Sequence, residues 1–118
     1  LEIRKQLANE SPTIENRRDL SISYNRRGDI LKAAGDIPAA RKYYELSLEI
    51  CKQLANESST PGTWDDLAVC YYKLGTLDDS VDYLQKALDI WTKLSEQYPS
   101  VPRYAKNCDI VREELTKR

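Results

Sequence analysis

Apolar residues recur every three or four positions through most of this chain. The series Leu77, Val81, Leu84, Leu88, Trp91, Leu94 falls on one stripe of a helix, and Ala40, Tyr44, Ser47, Leu48, Cys51, Leu54 does the same earlier. No alternation of period two runs to comparable length, so the pattern predicts an all-α protein. Turn chemistry then sets the breaks. Ser11-Pro12 and Thr60-Pro61 each offer a capping hydroxyl and a Pro at the first helical position, where its missing N–H costs nothing. Gly35 and Gly75 read as left-handed residues closing a helix, and Thr76 with Asp79 three positions on reads as the start of the next. Six helices are expected, over 1–10, 13–34, 37–57, 62–74, 77–97 and 101–117.

The chain repeats itself. LEIRKQLANES, from Leu1 to Ser11, returns as LEICKQLANES from Leu48 to Ser58, and a looser copy, LDIWTKLSEQ, runs from Leu88 to Gln97. The offsets, Leu1 to Leu48 and Leu48 to Leu88, are 47 and 40 positions. Their difference is about two turns at roughly 3.6 residues per turn, so it lengthens a helix while nearly keeping its buried face. The expectation is that one repeat has a longer first helix.

With the repeat defined, the stretch WDDLAVCYYKLGTLDDSVDYLQKAL from Trp64 to Leu88 resembles a tetratricopeptide repeat. Trp64, Leu67, Ala68 and Tyr71 match its first-helix run, and Ser80, Leu84 and Ala87 match the small, large and small residues of its second helix. Tyr24, Gly28 and Leu31, then Ala40, Tyr44 and Ser47, follow the same logic one repeat earlier. A mid-helix glycine costs about 1 kcal/mol against Ala, so Gly28 suits a contact too close for a methyl group. Arg27 departs from the pattern, standing where a buried Leu is usual. The Pro that normally follows the second helix is missing, because both second helices run on, as in the extended arrays of kinesin light chains and many bacterial multidomain proteins. The resemblance implies antiparallel helix pairs stacked as a right-handed α-α superhelix, a tetratricopeptide-like solenoid. Residues 1–118 are then one domain, with a half-repeat helix at 1–10, repeats at 13–57 and 62–97, and a capping helix at 101–117. Because Leu1 opens in mid-helix, the chain also reads as a piece of something longer.

Composition narrows the chemistry. Eighteen Lys and Arg nearly balance nineteen Asp and Glu in the 118 residues, and no apolar run approaches a membrane span. Cys51, Cys70 and Cys108 are odd in number, far apart and each within a helical pattern, which suggests neither disulfides nor zinc and fits a reducing cytoplasm; all three read as inert core or near-core thiols, with Cys108 the one open to exposure. There is no His, no phosphate-cradling glycine loop and no nucleophile elbow, so no enzymatic activity, cofactor or metal is expected.

What remains is binding. The resemblance implies a concave face lined by the first helices, exposing Asn25, Asp29 and Lys32 from one repeat and Asp65, Val69, Tyr72 and Lys73 from the next, with Asp109 and Arg112 on the last helix. Tyr72, about 100° round the helix from the core residue Tyr71, is the expected aromatic anchor. These same residues also read as ordinary solvated positions, since most exposed polar side chains bind nothing. Asp29, Asp65 and Asp66 would repel a chain-terminal carboxylate. Arg17, Arg18, Arg26 and Arg27 fan around their helix with Asp19 and Asp29 beside them, which argues against nucleic acid. Asp65-Asp66 and Asp78-Asp79 read as first-turn acids that favour the helix dipole. The function expected is a scaffold holding a protein or peptide, the alternatives being assembly through the terminal helices or a non-catalytic part of a larger enzyme or signalling protein. Leu1, Ile3 and Leu7 would leave apolar surface for weak self-association through the N-terminal helix.

Overall fold

The computed structural model describes residues 1–118 as six helices: α1 (Glu2–Glu10), α2 (Ile14–Ala33), α3 (Ile37–Glu57), α4 (Pro61–Asp78), α5 (Val81–Gln97) and α6 (Pro102–Thr116). The all-helical class expected from the apolar spacing is the class observed. The chain divides into two units, Leu1–Ser59 and Thr60–Arg118.

In the first unit α2 and α3 run antiparallel. Arg17 near the start of α2 meets Glu57 at the end of α3, Ser47 Oγ donates to the Ser21 carbonyl at 2.9 Å, and Gly28 lies under Tyr44. The middle contact explains the small residues, because Ser21 and Ser47, both buried, let the two backbones approach. A Cβ on Gly28 would stand 2.6 Å from Tyr44 Cδ1 and nearer still to Cε1, so the ring occupies the space a methyl group would need. Arg27 solves its place in the pattern by standing exposed. Helix α1 packs beside α2 through Ala8, Leu20 and Tyr24, and Arg4 pairs with Asp19 at 3.1 Å.

In the second unit α4 and α5 are likewise antiparallel, and Leu84, Ala87, Trp91 and Leu94 form the buried stripe of α5. Two expectations fail here. Helix α4 does not stop at Gly75; it runs on to Asp78, with Asp79 as the left-handed cap at φ 58°. Leu77 therefore belongs to α4, and the next helix is capped by Ser80, whose side chain accepts from Tyr83 N. Gly75 is buried in mid-helix, and a Cβ there would lie 2.8 Å from Leu84 Cγ and 3.1 Å from the Leu84 backbone nitrogen. It is the counterpart of Gly28, 47 positions earlier, and not of Gly35, 40 positions earlier, which does cap its helix at φ +86°. Asp78 and Asp79 consequently sit at the unfavourable, C-terminal end of the dipole, offset by Arg118, whose Nη2 is 2.6 Å from Asp79.

The same 47-position register relates the starts of the first helices. The cap of α2 is Thr13, accepting from Asn16 N, and not Ser11; the cap of α4 is Thr60, in a reciprocal capping box with Thr63. The seven extra residues of the first repeat are thereby located. Helix α2 has 20 residues against 18 in α4, α3 has 21 against 17 in α5, and the link 34–36 is one residue longer than 79–80. A longer first helix alone does not account for them; most lie in the second helix.

Candidate binding face

Because Thr13, Leu20, Tyr24 and Gly28 correspond to Thr60, Leu67, Tyr71 and Gly75, the face of α4 bearing Asp65, Val69, Tyr72 and Lys73 corresponds on α2 to Arg18, Ile22, Asn25 and Arg26. Of the α2 residues expected from the sequence, Asn25 belongs to this set and is half-buried. Asp29 and Lys32 are exposed but lie beyond Gly28, toward the end of the helix. Asp29 accepts from the Tyr44 hydroxyl at 2.5 Å, and burial together with this bond pushes the Tyr44 phenol well above its usual range. Lys32 falls in the last turn, where a cation favours the dipole. Arg18, Ile22 and Arg26 were not anticipated, yet the 47-position offset is written in the sequence and is the signal that finds them. Ile22 and Arg26 are exposed.

In the second unit, Asp65 is tied down. Its Oδ1 accepts from Trp91 Nε1 of α5 at 2.8 Å and its Oδ2 from Arg103 Nη2 of α6 at 2.8 Å, with only 13 % of the side chain exposed. It is a brace joining three helices. Asp29 and Asp65, expected to repel a terminal carboxylate, therefore have oxygens engaged within the chain. Tyr72, expected to stand free, is half-buried with its ring 6.2 Å from that of Trp91. Burial pushes its phenol upward, reinforced by negative Glu114 and opposed by Lys117 and Arg118. Burial also pulls Glu114 upward, but hydrogen bonds and charge from Lys117 and Arg118 outweigh it and hold that carboxyl below its usual range. Val69 and Lys73 are half-buried neighbours of Tyr72 on α4. Arg112 is exposed on α6 and 3.4 Å from Asp109 on its own helix.

Other candidates resolve simply. Cys108 is buried, like Cys51 and Cys70. Arg17 is engaged by both carboxylate oxygens of Glu57, which removes it from any basic patch. On α1, Leu1, Ile3 and Leu7 are exposed. The comparison with α3 is direct: Leu7 is 42 % exposed and its copy Leu54 1 %, although the surrounding eleven residues differ at one position. No helix is long and apolar enough to cross a membrane.

Small residues at the crossing of paired antiparallel helices, repeated along the chain, define a helical-repeat protein of the solenoid class. The family model described as tetratricopeptide repeat matches residues 18–93, and the chain belongs to the tetratricopeptide repeat family. Members of that family generally mediate protein–protein interaction and are typically non-catalytic. Comparison with curated proteins gives no match, and comparison with solved structures gives none either.

Proposed function

We propose that this protein is an interaction scaffold that holds peptide or protein segments on the outward face of each first helix, α2 in the first unit and α4 in the second. The observation that carries the reading is an apolar residue at the equivalent place in each repeat, Ile22 exposed on α2 and Val69 half-buried on α4, with the half-buried Tyr72 beside the second. Accessible apolar and aromatic side chains at recurrent positions are what a partner can desolvate. In this reading residues 1–118 act as one non-catalytic domain in the cytoplasm, where three buried thiols stay reduced, and neither cofactor, nucleic acid nor membrane takes part. The test is titration of display-selected peptides against Ile22→Ser, Val69→Ser and Lys73→Glu. Affinity should fall at least tenfold for the apolar changes while the far-ultraviolet circular dichroism stays the same. Unchanged affinity in all three sinks the proposal.

A second reading is favoured by the exposed face of α1. Leu1, Ile3 and Leu7 offer the surface that Leu48, Ile50 and Leu54 largely bury in α3, where burying each such side chain contributes on the order of 1.5–3 kcal/mol. Weak self-association through this helix follows. Sedimentation of the protein beside a Leu1→Glu, Leu7→Lys variant decides it: association that survives the changes, or none at high concentration, defeats the idea.

A further inference from the structure

We infer that the open face of α1 takes a helix of another chain that repeats the chemistry of α2's first turns, a base followed by apolar, small and aromatic residues spaced as Arg17, Leu20, Ser21 and Tyr24 are. This rests on the second reading above, that the α1 face is an interface, and names what covers it. The protein contains its own precedent. Residues 1–11 and 48–58 differ only at Arg4 and Cys51, and in the later copy Ile50, Leu54 and Glu57 form one stripe that faces α2. Ile50 packs against the cluster of Leu20 and Tyr24, Leu54 is 1 % exposed, and both carboxylate oxygens of Glu57 engage Arg17.

The equivalent stripe of α1, Ile3, Leu7 and Glu10, has no such cover. Ile3 is 73 % exposed, and Glu10 accepts from Gln6 of its own helix at 3.0 Å and meets no base. Arg4, standing in the place of Cys51, is held to α2 by Asp19 at 3.1 Å, so its charge is already answered. Helix α1 thus presents an apolar pair that ends in an unanswered carboxylate, and α2 on α3 shows which side chains answer that combination. A guanidinium engages such a carboxylate in a two-pronged, charge-assisted contact, which fixes the register of the incoming helix as well as adding affinity. A second α1 lacks that base, because its Arg4 and Lys5 already pair with Asp19 and Glu2. It could cover the leucine and would leave the carboxylate facing none.

A labelled synthetic peptide of residues 13–34 of this chain, titrated by fluorescence anisotropy against the 118-residue protein, tests this. Saturable binding is expected, weakened about tenfold or more by Leu7→Lys, which removes the burial of one leucine. Glu10→Lys should weaken it too, and a peptide carrying Arg17→Glu should recover affinity for that variant alone, by a factor that shrinks as salt is raised. Glu57→Lys reports the competing route, in which the peptide displaces the protein's own α2 from α3. No saturable binding, binding that responds to Glu57→Lys and not to Leu7→Lys, or a charge exchange that recovers nothing overturns the inference. The second reading fails separately, in sedimentation without peptide: association through α1 that the peptide does not compete away leaves that reading standing and sinks this one.

Discussion

Gly75→Ala gives the sharpest check on the packing described here. In a helix exposed to solvent the change should stabilise by about 1 kcal/mol, because Ala orders at lower entropic cost than Gly. In α4 the new methyl carbon would lie 2.8 Å from both Leu84 Cγ and Cδ2 and 3.1 Å from the Leu84 backbone nitrogen. Ordinary contact begins about 0.7 Å further out, near 3.5 Å. The methyl ends could swing away, but Cγ moves only if Leu84 changes its χ1 rotamer and the backbone nitrogen is fixed in α5, so the side chain must repack or the helix must shift. Overpacking of this kind costs about 1–3 kcal/mol, which offsets the propensity gain and leaves a net loss of up to about 2 kcal/mol. For a domain of this size that is a fall of up to roughly 10 °C in melting temperature. Urea unfolding followed by circular dichroism should be run on Gly75→Ala, Leu84→Ala and the double variant. Without the Leu84 side chain only the backbone nitrogen at 3.1 Å stays close, so Gly75→Ala should turn nearly neutral in that background, with a coupling of about 2 kcal/mol. Gly35→Ala is the control, since nothing lies within 4 Å and only its left-handed backbone opposes a side chain. Strict additivity of the Gly75 and Leu84 changes would refute the close approach.

Asp65→Ala strips Trp91 Nε1 and Arg103 of their shared acceptor and should cost about 1–3 kcal/mol, with a change in tryptophan emission, whereas an exposed surface acid would give neither. Acid sensitivity is expected at the α2–α3 ends: the hydrogen bond and charge of Arg17 hold Glu57 below its ordinary value of 4.5, so that contribution is present above pH about 4.5 and is lost as pH falls through the lower folded value. Stability against pH should accordingly fall less steeply on the acid side in Arg17→Ala; an identical acid limb contradicts the assignment. The three thiols, all buried, should react with a thiol reagent only as fast as the protein opens, so one cysteine titrating at once in the folded state would place Cys108 at the surface after all.

Much of this was written in the sequence, because local pattern alone decides it. Period-three-and-four spacing predicted six helices and much of what they bury, although Val81, placed on the α5 stripe, is exposed and Leu77 belongs to α4, and the small residues Gly28 and Ser47 foretold close helix pairing. The resemblance of Trp64 to Leu88 was enough to name the family. What the sequence left ambiguous was register, since two offsets, 47 and 40, fit the repeats equally well by eye. Gly75 matches Gly35 under one and Gly28 under the other. Only packing decides between a glycine needed for its left-handed backbone and one needed for its missing side chain, and Leu84 against Gly75 settles it. The fate of the candidate binding residues was equally a tertiary matter. Asp65 and Tyr72 are both on α4, but whether a side chain is available to a partner depends on what other helices bring near it, and Trp91, Arg103 and Glu114 come from α5 and α6. The same holds for LEIRKQLANES and LEICKQLANES. Nearly identical letters give an exposed Leu7 and a buried Leu54, because burial is a property of the neighbours a helix acquires and not of the helix itself.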